Sequence, residues 1–155
     1  MTEPNGTLLI TCGALAREIV ALTRANEWDR MQITCLPAHL HNDPEKIPEG
    51  VRERIREGRE RYEKIYVLVA DCGTGGQLDK VLEEEGVERI LGNHCYEVFA
   101  GASGFEDIVA AEPASFFLTD FLVRHFDRLI IEGMGIDRHP KLKKVFFGKY
   151  KRLVY

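Results

Sequence analysis

Cysteine and histidine residues recur directly after the apolar runs of this sequence. Each run has the length and composition of a β-strand, so a reactive side chain is predicted at or just beyond the end of each strand. Thiols and imidazoles act as nucleophiles, proton carriers and ligands for soft metal ions. The residues concerned are Cys12, His39, His41, Cys72, His94 and Cys95. The chemistry open to the chain therefore depends on how the strands are arranged.

Short strands alternate with amphipathic helices over roughly the first 92 residues. The predicted strands are Thr7–Cys12, Met31–Leu36, Ile65–Ala70 and Val87–Leu91, and the predicted helices are Ala14–Ala25, Pro48–Tyr62 and Gln77–Glu85. Strands that alternate with helices pair in parallel through right-handed crossovers. The pattern predicts a three-layer, Rossmann-like α/β fold, with a mostly parallel sheet and helices on both faces.

The pattern changes after this point and predicts a helical C-terminal part. Helices are expected over Glu97–Ala111, Pro113–Glu132 and Pro140–Gly148, followed by a strand at Lys151–Tyr155. A linker rich in Pro, Ser and Gly does not interrupt the sequence, and 155 residues fit one domain. We therefore expect a single domain that spans residues 1–155.

Composition and charge argue against several classes of protein. The 45% hydrophobic content is sufficient for a core, whereas four cysteines are too few for a disulfide scaffold. With 21 basic and 25 acidic residues, the net charge of −4 argues against a nucleic-acid-binding surface. Apolar runs stay well short of the roughly 20 residues that span a bilayer, and Met1–Gly6 does not resemble a secretory signal. We expect a cytoplasmic protein with a small-molecule ligand and without nucleic-acid or membrane partners.

A metal site is predicted at one edge of the sheet. Ligands bind open α/β sheets beyond the carboxyl ends of the strands, where Cys12, Cys72 and Cys95 are all expected. Three thiolates from separate strand ends suit zinc or an iron–sulfur cluster, and His94 is a candidate fourth ligand. Packing alone is the alternative for these cysteines, and Cys35, in mid-strand, is interpreted as such a case.

A glycine-rich turn follows the third predicted strand at the same edge. The turn Asp71–Gly76 lacks the third glycine of a dinucleotide fingerprint and the Lys-Ser/Thr pair of a P-loop. Its glycines allow backbone N–H groups to approach a carboxylate or a phosphate, and a tight strand-to-helix turn is the alternative. The predicted ligand-binding residues are Gly13, Gly73, Thr74, Gly75, Gly76 and Arg138.

Proton transfer is assigned to three polar side chains near this edge. His39 and His41 lie in the loop after the second strand and are candidates to move a proton. Asp71 is a candidate base, a partner that orients a histidine, or a helix cap. The predicted catalytic residues are therefore His39, His41 and Asp71.

Six motifs, in order along the chain, carry a family resemblance. They are Cys12–Glu18, Leu36–Asn42, Asp71–Gly76, His94–Glu97, Phe116–Phe121 and Asp137–Pro140. With these motifs the chain resembles the domain of unknown function 1638 family. The resemblance supplies no settled activity. It implies an association with corrinoid-dependent methyltransferases and one-carbon enzymes, and hence a corrinoid protein or a methyltransferase as a partner.

Three functional hypotheses follow from the residues and the resemblance, and the residues leave open whether the chain is an enzyme. The first is a metal-dependent enzyme, such as a methyl-transfer enzyme, or an accessory protein, in which zinc prepares a bound thiol. The second is a non-catalytic module that holds a corrinoid, folate or nucleotide-type ligand while the cysteines only pack. The third is nucleophilic catalysis by Cys72.

The oligomeric state is also left open by the sequence. The apolar face around Phe116, Phe117 and Phe121 is interpreted as core, and a contact between two copies of the chain is the alternative.

Overall fold

Residues 6–155 are described by the computed structural model of the chain, which divides into two compact units. The first unit ends at Cys95 and the second spans Tyr96–Tyr155. Each unit has its own sheet, and the expectation of a single domain stays a prediction. Residues 1–5 lie outside the described residues. The prediction that Met1–Gly6 is not a secretory signal therefore falls almost entirely outside them.

The first unit alternates strands with helices, as its sequence pattern predicts. Its elements are β1 (Thr7–Cys12), α1 (Ala16–Ala25), β2 (Met31–Leu36), two 3-10 helices (Ala38–Asn42 and Pro44–Lys46), α2 (Ile47–Gly58), β3 (Lys64–Leu68), α3 (Gln77–Glu85) and β4 (Glu88–Arg89). The four strands pair in parallel in the order β2-β1-β3-β4. This arrangement confirms the predicted α/β fold with a parallel sheet flanked by helices.

The core of the first unit lies between the sheet and the helices α2 and α3. Leu8 and Ile10 alternate along β1 with residues of the other face, so both reach the same hydrophobic cluster. Val51 and Ile55 lie one turn apart on α2 and are fully buried, as is Leu78 on α3. These contacts hold α2 and α3 against β1 and β3, at whose carboxyl ends the reactive residues stand.

The second unit contains a small parallel sheet among short helices. Its elements are α4 (Cys95–Ala100), which begins at the boundary, α5 (Ala102–Ala111), β5 (Ser115–Phe117), α6 (Asp120–Arg124), a π-helix (Asp127–Glu132), α7 (Leu142–Phe147) and β6 (Arg152–Val154). β5 pairs with β6, with Ser115 opposite Arg152. The strand predicted at Lys151–Tyr155 is therefore present.

The helix predicted over Pro113–Glu132 is wrong in its first part, which forms β5. The apolar residues of this segment fit a helical period, but their backbone groups pair with β6, which lies more than thirty residues further along the chain. The helix begins only at α6, where the hydroxyl of Thr119 accepts a hydrogen bond from the backbone N–H of Leu122 at 3.3 Å. Pairing with a distant strand thus overrides the local pattern.

Aromatic rings form the interior of the second unit. Phe116 packs edge to face against Phe147 and Tyr150, with ring centroids 5.3 and 5.1 Å apart. Phe117 occupies the next position of β5, and its ring centroid lies 5.3 Å from that of Tyr96 and 5.2 Å from that of Phe105. Phe116 and Phe117 are therefore packed inside the unit, and the oligomeric state stays a prediction.

Within residues 6–155, none of the helices has the length and apolar character that crossing a membrane requires.

A single carboxylate joins α3 to α2. Glu85, in the last turn of α3, pairs with Arg52 and Arg56 of α2 and with Arg59, the residue that follows α2, at 2.9–3.1 Å. Its side chain is only 9% exposed. A negative charge at a helix C-terminus is unfavourable, so the three guanidinium groups offset that cost. The hydrogen bond from Arg59 is the largest cause that lowers the pKa of Glu85, to about 2.

The variant Glu85→Gln is expected to lower the unfolding temperature at neutral pH, because three guanidinium groups lose their carboxylate. The pKa of Glu85 falls from 4.5 in the unfolded chain to about 2 in the folded chain. The stabilisation is therefore fully present above pH 4.5 and is lost as the pH falls through about 2. Thermal unfolding followed by circular dichroism should show the difference between variant and wild type shrinking towards acid.

The matched control is Glu83→Gln, which removes an exposed carboxylate from the same helix. It should leave the unfolding temperature nearly unchanged. Equal losses of stability in the two variants would show that Glu85 does not join α3 to α2 in this way.

Candidate functional site

The site lies where the neighbouring strands β1 and β3 end. β1 ends at Cys12, and the chain reaches Cys72 four residues after the end of β3. From β1 the chain crosses to β2 on one side and then returns across β1 to β3 on the other. Such a reversal opens a crevice between the two central strands, which is where open α/β sheets bind their ligands.

One imidazole brings two of the predicted cysteines together. The Sγ atom of Cys12 lies 3.8 Å from Nδ1 and 3.9 Å from Nε2 of His41. The side chain of Cys72 also interacts with this imidazole, since it raises the pKa of His41. We call Cys12, His41 and Cys72 the thiol–imidazole cluster. Residues from three separate parts of the sequence thus meet at one edge of the sheet.

The loop that carries His41 is held in place by its own backbone and by the core. Pro37 follows β2, and the 3-10 helix Ala38–Asn42 turns the chain back over the strand ends. Leu40 packs against the hydrophobic core, which anchors this helix. His41 Nδ1 lies 3.0 Å from the carbonyl oxygen of Ala38. In the tautomer that donates this hydrogen bond, Nε2 keeps a lone pair with which it accepts a proton or binds a metal ion.

The cluster shifts the pKa values of its members. Burial raises the pKa of the Cys12 thiol, and hydrogen bonds from the N–H groups of Ala14 and Leu15 offset this only in part. The Ala14 nitrogen lies 3.3 Å from Sγ. Burial lowers the pKa of His41, but the hydrogen bond and charge of Cys72 together with the Ala38 carbonyl outweigh it, so the pKa of His41 is raised. The protonated imidazole is therefore favoured beside a sulfur atom.

The glycine-rich turn already holds a carboxylate from its own chain. Asp71 accepts hydrogen bonds from the hydroxyl of Thr74 at 2.5 Å and from the amides of Gly76 and Gly75 at 3.0 and 3.2 Å. Burial raises the pKa of Asp71, but these hydrogen bonds outweigh it and the pKa is lowered. Asp71 thus caps the turn before α3. The predicted binding of an external anion at Gly73–Gly76 stays a prediction.

The same turn places Cys72 in an uncommon backbone conformation. Cys72 has a φ of +49°, in the left-handed region that non-glycine residues rarely adopt. Its N–H donates to the carbonyl of Asn93 at 2.8 Å, and that of Asp71 donates to Gly92 at 3.1 Å. The segment after β4 therefore fixes the backbone on which the Cys72 thiol stands.

Arg89 of β4 supports this segment and was not predicted from the sequence. Its guanidinium group donates to the carbonyls of Ile90 and Gly92 at 2.8 and 3.2 Å and to the carboxylate of Asp79. Its side chain is 12% exposed, and its pKa is raised chiefly by Asp79, with further contributions from the charges of Asp71 and Cys72. A single arginine in a short strand gives no recognisable motif.

The other predicted residues lie around the cluster or outside the first unit. His39 is exposed on the loop that carries His41, whereas the amide of Gly13 donates to the Leu36 carbonyl at 2.9 Å. His94 and Cys95 follow Asn93 and lead into α4. Arg138 belongs to the second unit, beside Asp137 at 3.8 Å. The binding and catalytic roles assigned to these residues stay predictions.

A ready-made metal centre is not seen in the described part of the chain. Across residues 6–155, the His, Cys, Asp and Glu side chains do not form a group of three or more that would hold a metal ion as they stand. The metal site predicted from Cys12, Cys72, His94 and Cys95 therefore stays a prediction.

The resemblance noted in the sequence is confirmed by comparison with known families. A family model described as "Protein of unknown function (DUF1638)" matches residues 35–155. The match includes His41 and Cys72 and begins after Cys12. Neither the curated proteins nor the solved structures contain a match to the chain.

The pKa of His41 in the metal-free protein is expected to lie above the ordinary histidine value, because Cys72 favours the protonated ring. In the variant Cys72→Ser it should fall. Titration of the His41 ring signals by NMR measures both values. The variant Cys35→Ser, which changes an exposed cysteine, should leave the pKa of His41 unaltered. A pKa of His41 that does not respond to removal of the Cys72 thiol would contradict the proximity of the two side chains.

Proposed function

The chain belongs to the DUF1638 family, and since the family description names no activity, we propose a function from the cluster itself. We propose that the protein binds a small electrophilic molecule at the carboxyl edge of its parallel sheet and transfers a group from it to the thiol of Cys72. The observation that carries this proposal is that the His41 imidazole contacts Cys12 and has its pKa raised by its interaction with Cys72. A thiol with a positioned base within reach is the arrangement of a cysteine nucleophile.

Cys72 suits the role of nucleophile better than Cys12 does. Cys12 is 3% exposed and its thiol has a raised pKa, so it is shielded from a ligand and held in the neutral form. Cys72 is less buried and follows a central strand, on a turn whose φ of +49° resembles the strained turns that present nucleophiles above α/β sheets.

The proposed step needs only residues of the cluster and the electrophile. His41 accepts the thiol proton of Cys72 at Nε2 while its Nδ1–H stays bonded to the Ala38 carbonyl. The sulfur attacks the electrophilic carbon, a sulfur–carbon bond forms, and the bond from carbon to the leaving group breaks. The leaving group departs with the electron pair and takes the proton from the imidazolium of His41. When the transferred group is acyl, attack by water on the thioester restores the thiol.

The class of electrophile is proposed from the family resemblance. An activated methyl group or a small ester satisfies the chemistry of the step, and the association with one-carbon enzymes favours a methyl donor. In this proposal Cys12 is a positioning residue, because its sulfur contacts both ring nitrogens of His41. The sulfur is itself held in place by a hydrogen bond from the N–H of Ala14.

Alkylation of the full chain by iodoacetamide tests the proposal. We expect Cys72 to react faster than Cys35, although Cys35 is the more exposed of the two, because only Cys72 has a base beside it. In His41→Ala, the rate at Cys72 should fall by roughly 10²-fold, the lower end of what a positioned base contributes. Mass spectrometry of digested samples measures the rate at each cysteine.

The matched control is His39→Ala, which removes an exposed histidine from the same loop. It should leave the rate at Cys72 unchanged. If Cys35 reacts first, and if both histidine variants behave like the wild type, Cys72 is not an activated nucleophile.

A second candidate function is binding of a zinc or iron ion, and the anchoring of Cys12 and His41 favours it. The N–H of Ala14 donates to the Cys12 sulfur, and the ring of His41 is fixed by a backbone carbonyl, as for histidines that bind metal ions. Two ligands of one tetrahedral zinc lie about 3.5 Å apart, near the 3.9 Å between Sγ of Cys12 and Nε2 of His41. Cys72 would have to move to complete a Cys₂His site with an open position for a substrate thiol.

Metal analysis of anaerobically purified protein separates the two candidates. On the second candidate, one zinc or iron ion per chain is expected, and Cys12→Ser, Cys72→Ser and His41→Ala each lose it while Cys35→Ser retains it. The binding of metal at other residues, such as Cys95, would appear as retention in all of these variants. If the purified protein contains little metal and Cys72 is reactive, the metal candidate is excluded and only the thiol proposal remains.

A further inference from the structure

Positive charge is concentrated at the C-terminal end of the sequence. Residues 138–155 contain seven of the 21 Lys and Arg residues and none of the 25 Asp and Glu residues. We call residues 138–155 the C-terminal basic segment. The net charge of −4 is a sum over the whole chain, in which the acidic residues outside this segment outweigh its positive charge. The expectation drawn from the net charge, that the chain has no nucleic-acid surface, therefore does not take this segment into account.

The lysine side chains of the segment are exposed and are not tied up in ion pairs with the described residues. Within residues 6–155, none of the five takes part in an ion pair, whereas Arg152 is partly buried and donates to Ser115 at 2.9 Å. These lysines are Lys141, Lys143, Lys144, Lys149 and Lys151. Their ammonium groups are therefore available to a negatively charged partner.

Aromatic rings are interspersed with these lysines. Phe146 is 36% exposed, Tyr150 is 44% exposed and Tyr155 is 77% exposed. Tyr150 is held in position because its ring packs on Phe116, with centroids 5.1 Å apart, and Tyr155 donates a hydrogen bond to Asp120. The rings of Tyr150 and Tyr155 are thus each held by a contact, while part of their surface remains open to a partner.

A groove in the second unit combines the two kinds of side chain. It has a volume of about 620 Å³ and is lined by Pro113, Ala114, Val145, Phe146, Lys149 and Tyr150. Aromatic walls provide surfaces on which a base stacks, and an ammonium group beside them matches a phosphate. A repeating chain of bases and phosphates also matches the remaining lysines of the segment.

We propose that the C-terminal basic segment binds single-stranded nucleic acid, with a base in the groove at Phe146 and Tyr150 and phosphates on the surrounding lysines. The alternation of rings and cations favours this partner over an acidic protein, because single-stranded nucleic acid offers a flat base beside each phosphate. The six-residue helix α7 is also much shorter than the amphipathic helices that lie in a membrane surface. This inference is independent of the chemistry proposed for Cys72.

Fluorescence anisotropy of the full chain with a labelled oligo(U) of about 20 nucleotides tests the proposal, since single-strand sites span several nucleotides. Binding should weaken with salt. The double variant Lys143→Gln/Lys149→Gln should reduce the slope of log affinity against log salt by about 1.4, or about 0.7 for each phosphate that a lysine no longer neutralises. Tyr150→Ala should weaken binding by at least about fivefold at constant slope, because the base no longer has a ring on which to stack.

Two controls separate binding from misfolding and from general attraction between charges. Tyr150→Phe keeps the ring that packs on Phe116 and should bind like the wild type. Lys64→Gln/Lys80→Gln removes two exposed lysines of the first unit and should have little effect. The proposal is overturned if oligo(U) does not bind, if a duplex or anionic vesicles bind equally well, or if Tyr150→Ala binds like Tyr150→Phe.

Discussion

The parallel pairing of β1 with both β2 and β3 is the constraint on which the site depends. Because the two registers both start at Thr7, the three strands advance together and end at one edge. Cys12 stands at the end of the central strand, and the chain segments after its two neighbours carry His41 and Cys72. A shift of either register by one residue would turn side chains to the opposite face and separate the cluster.

The turn after β3 then determines what that edge offers to a ligand. The amides of Gly75 and Gly76 donate to the carboxylate of Asp71, so the turn is stabilised by its own side chain. The cost is a left-handed conformation at Cys72, where a glycine would be easier to accommodate. The side chain of Cys72 also packs against the hydrophobic core of the first unit. Its thiol, beside His41, is the reason we place the chemistry there.

Much of the fold follows from local pattern, because alternating strands and helices permit few topologies. The bounds of β1, β2 and α3 agree with those predicted from apolar runs and from the glycine after Glu85. The strand β5 was mistaken for helix because its partner β6 lies far away in sequence. Local periodicity does not contain that information.

The site was predicted only in part, for reasons that concern side chains rather than strands. The meeting of Cys12 and Cys72 at one edge follows from topology, whereas the position of His41 between them depends on the loop after β2 and its anchor at Leu40. The use of the turn amides by Asp71 depends on a side-chain rotamer, which spacing does not specify.

The central claim is that the side chains of Cys72 and His41 lie next to each other at the sheet edge. Nuclear Overhauser effects between the β protons of Cys72 and the ring protons of His41 test it most directly, with His41→Ala as the reference spectrum. The account predicts cross-peaks between the two side chains in the wild type that are missing in His41→Ala. A wild-type spectrum without these cross-peaks would contradict the account.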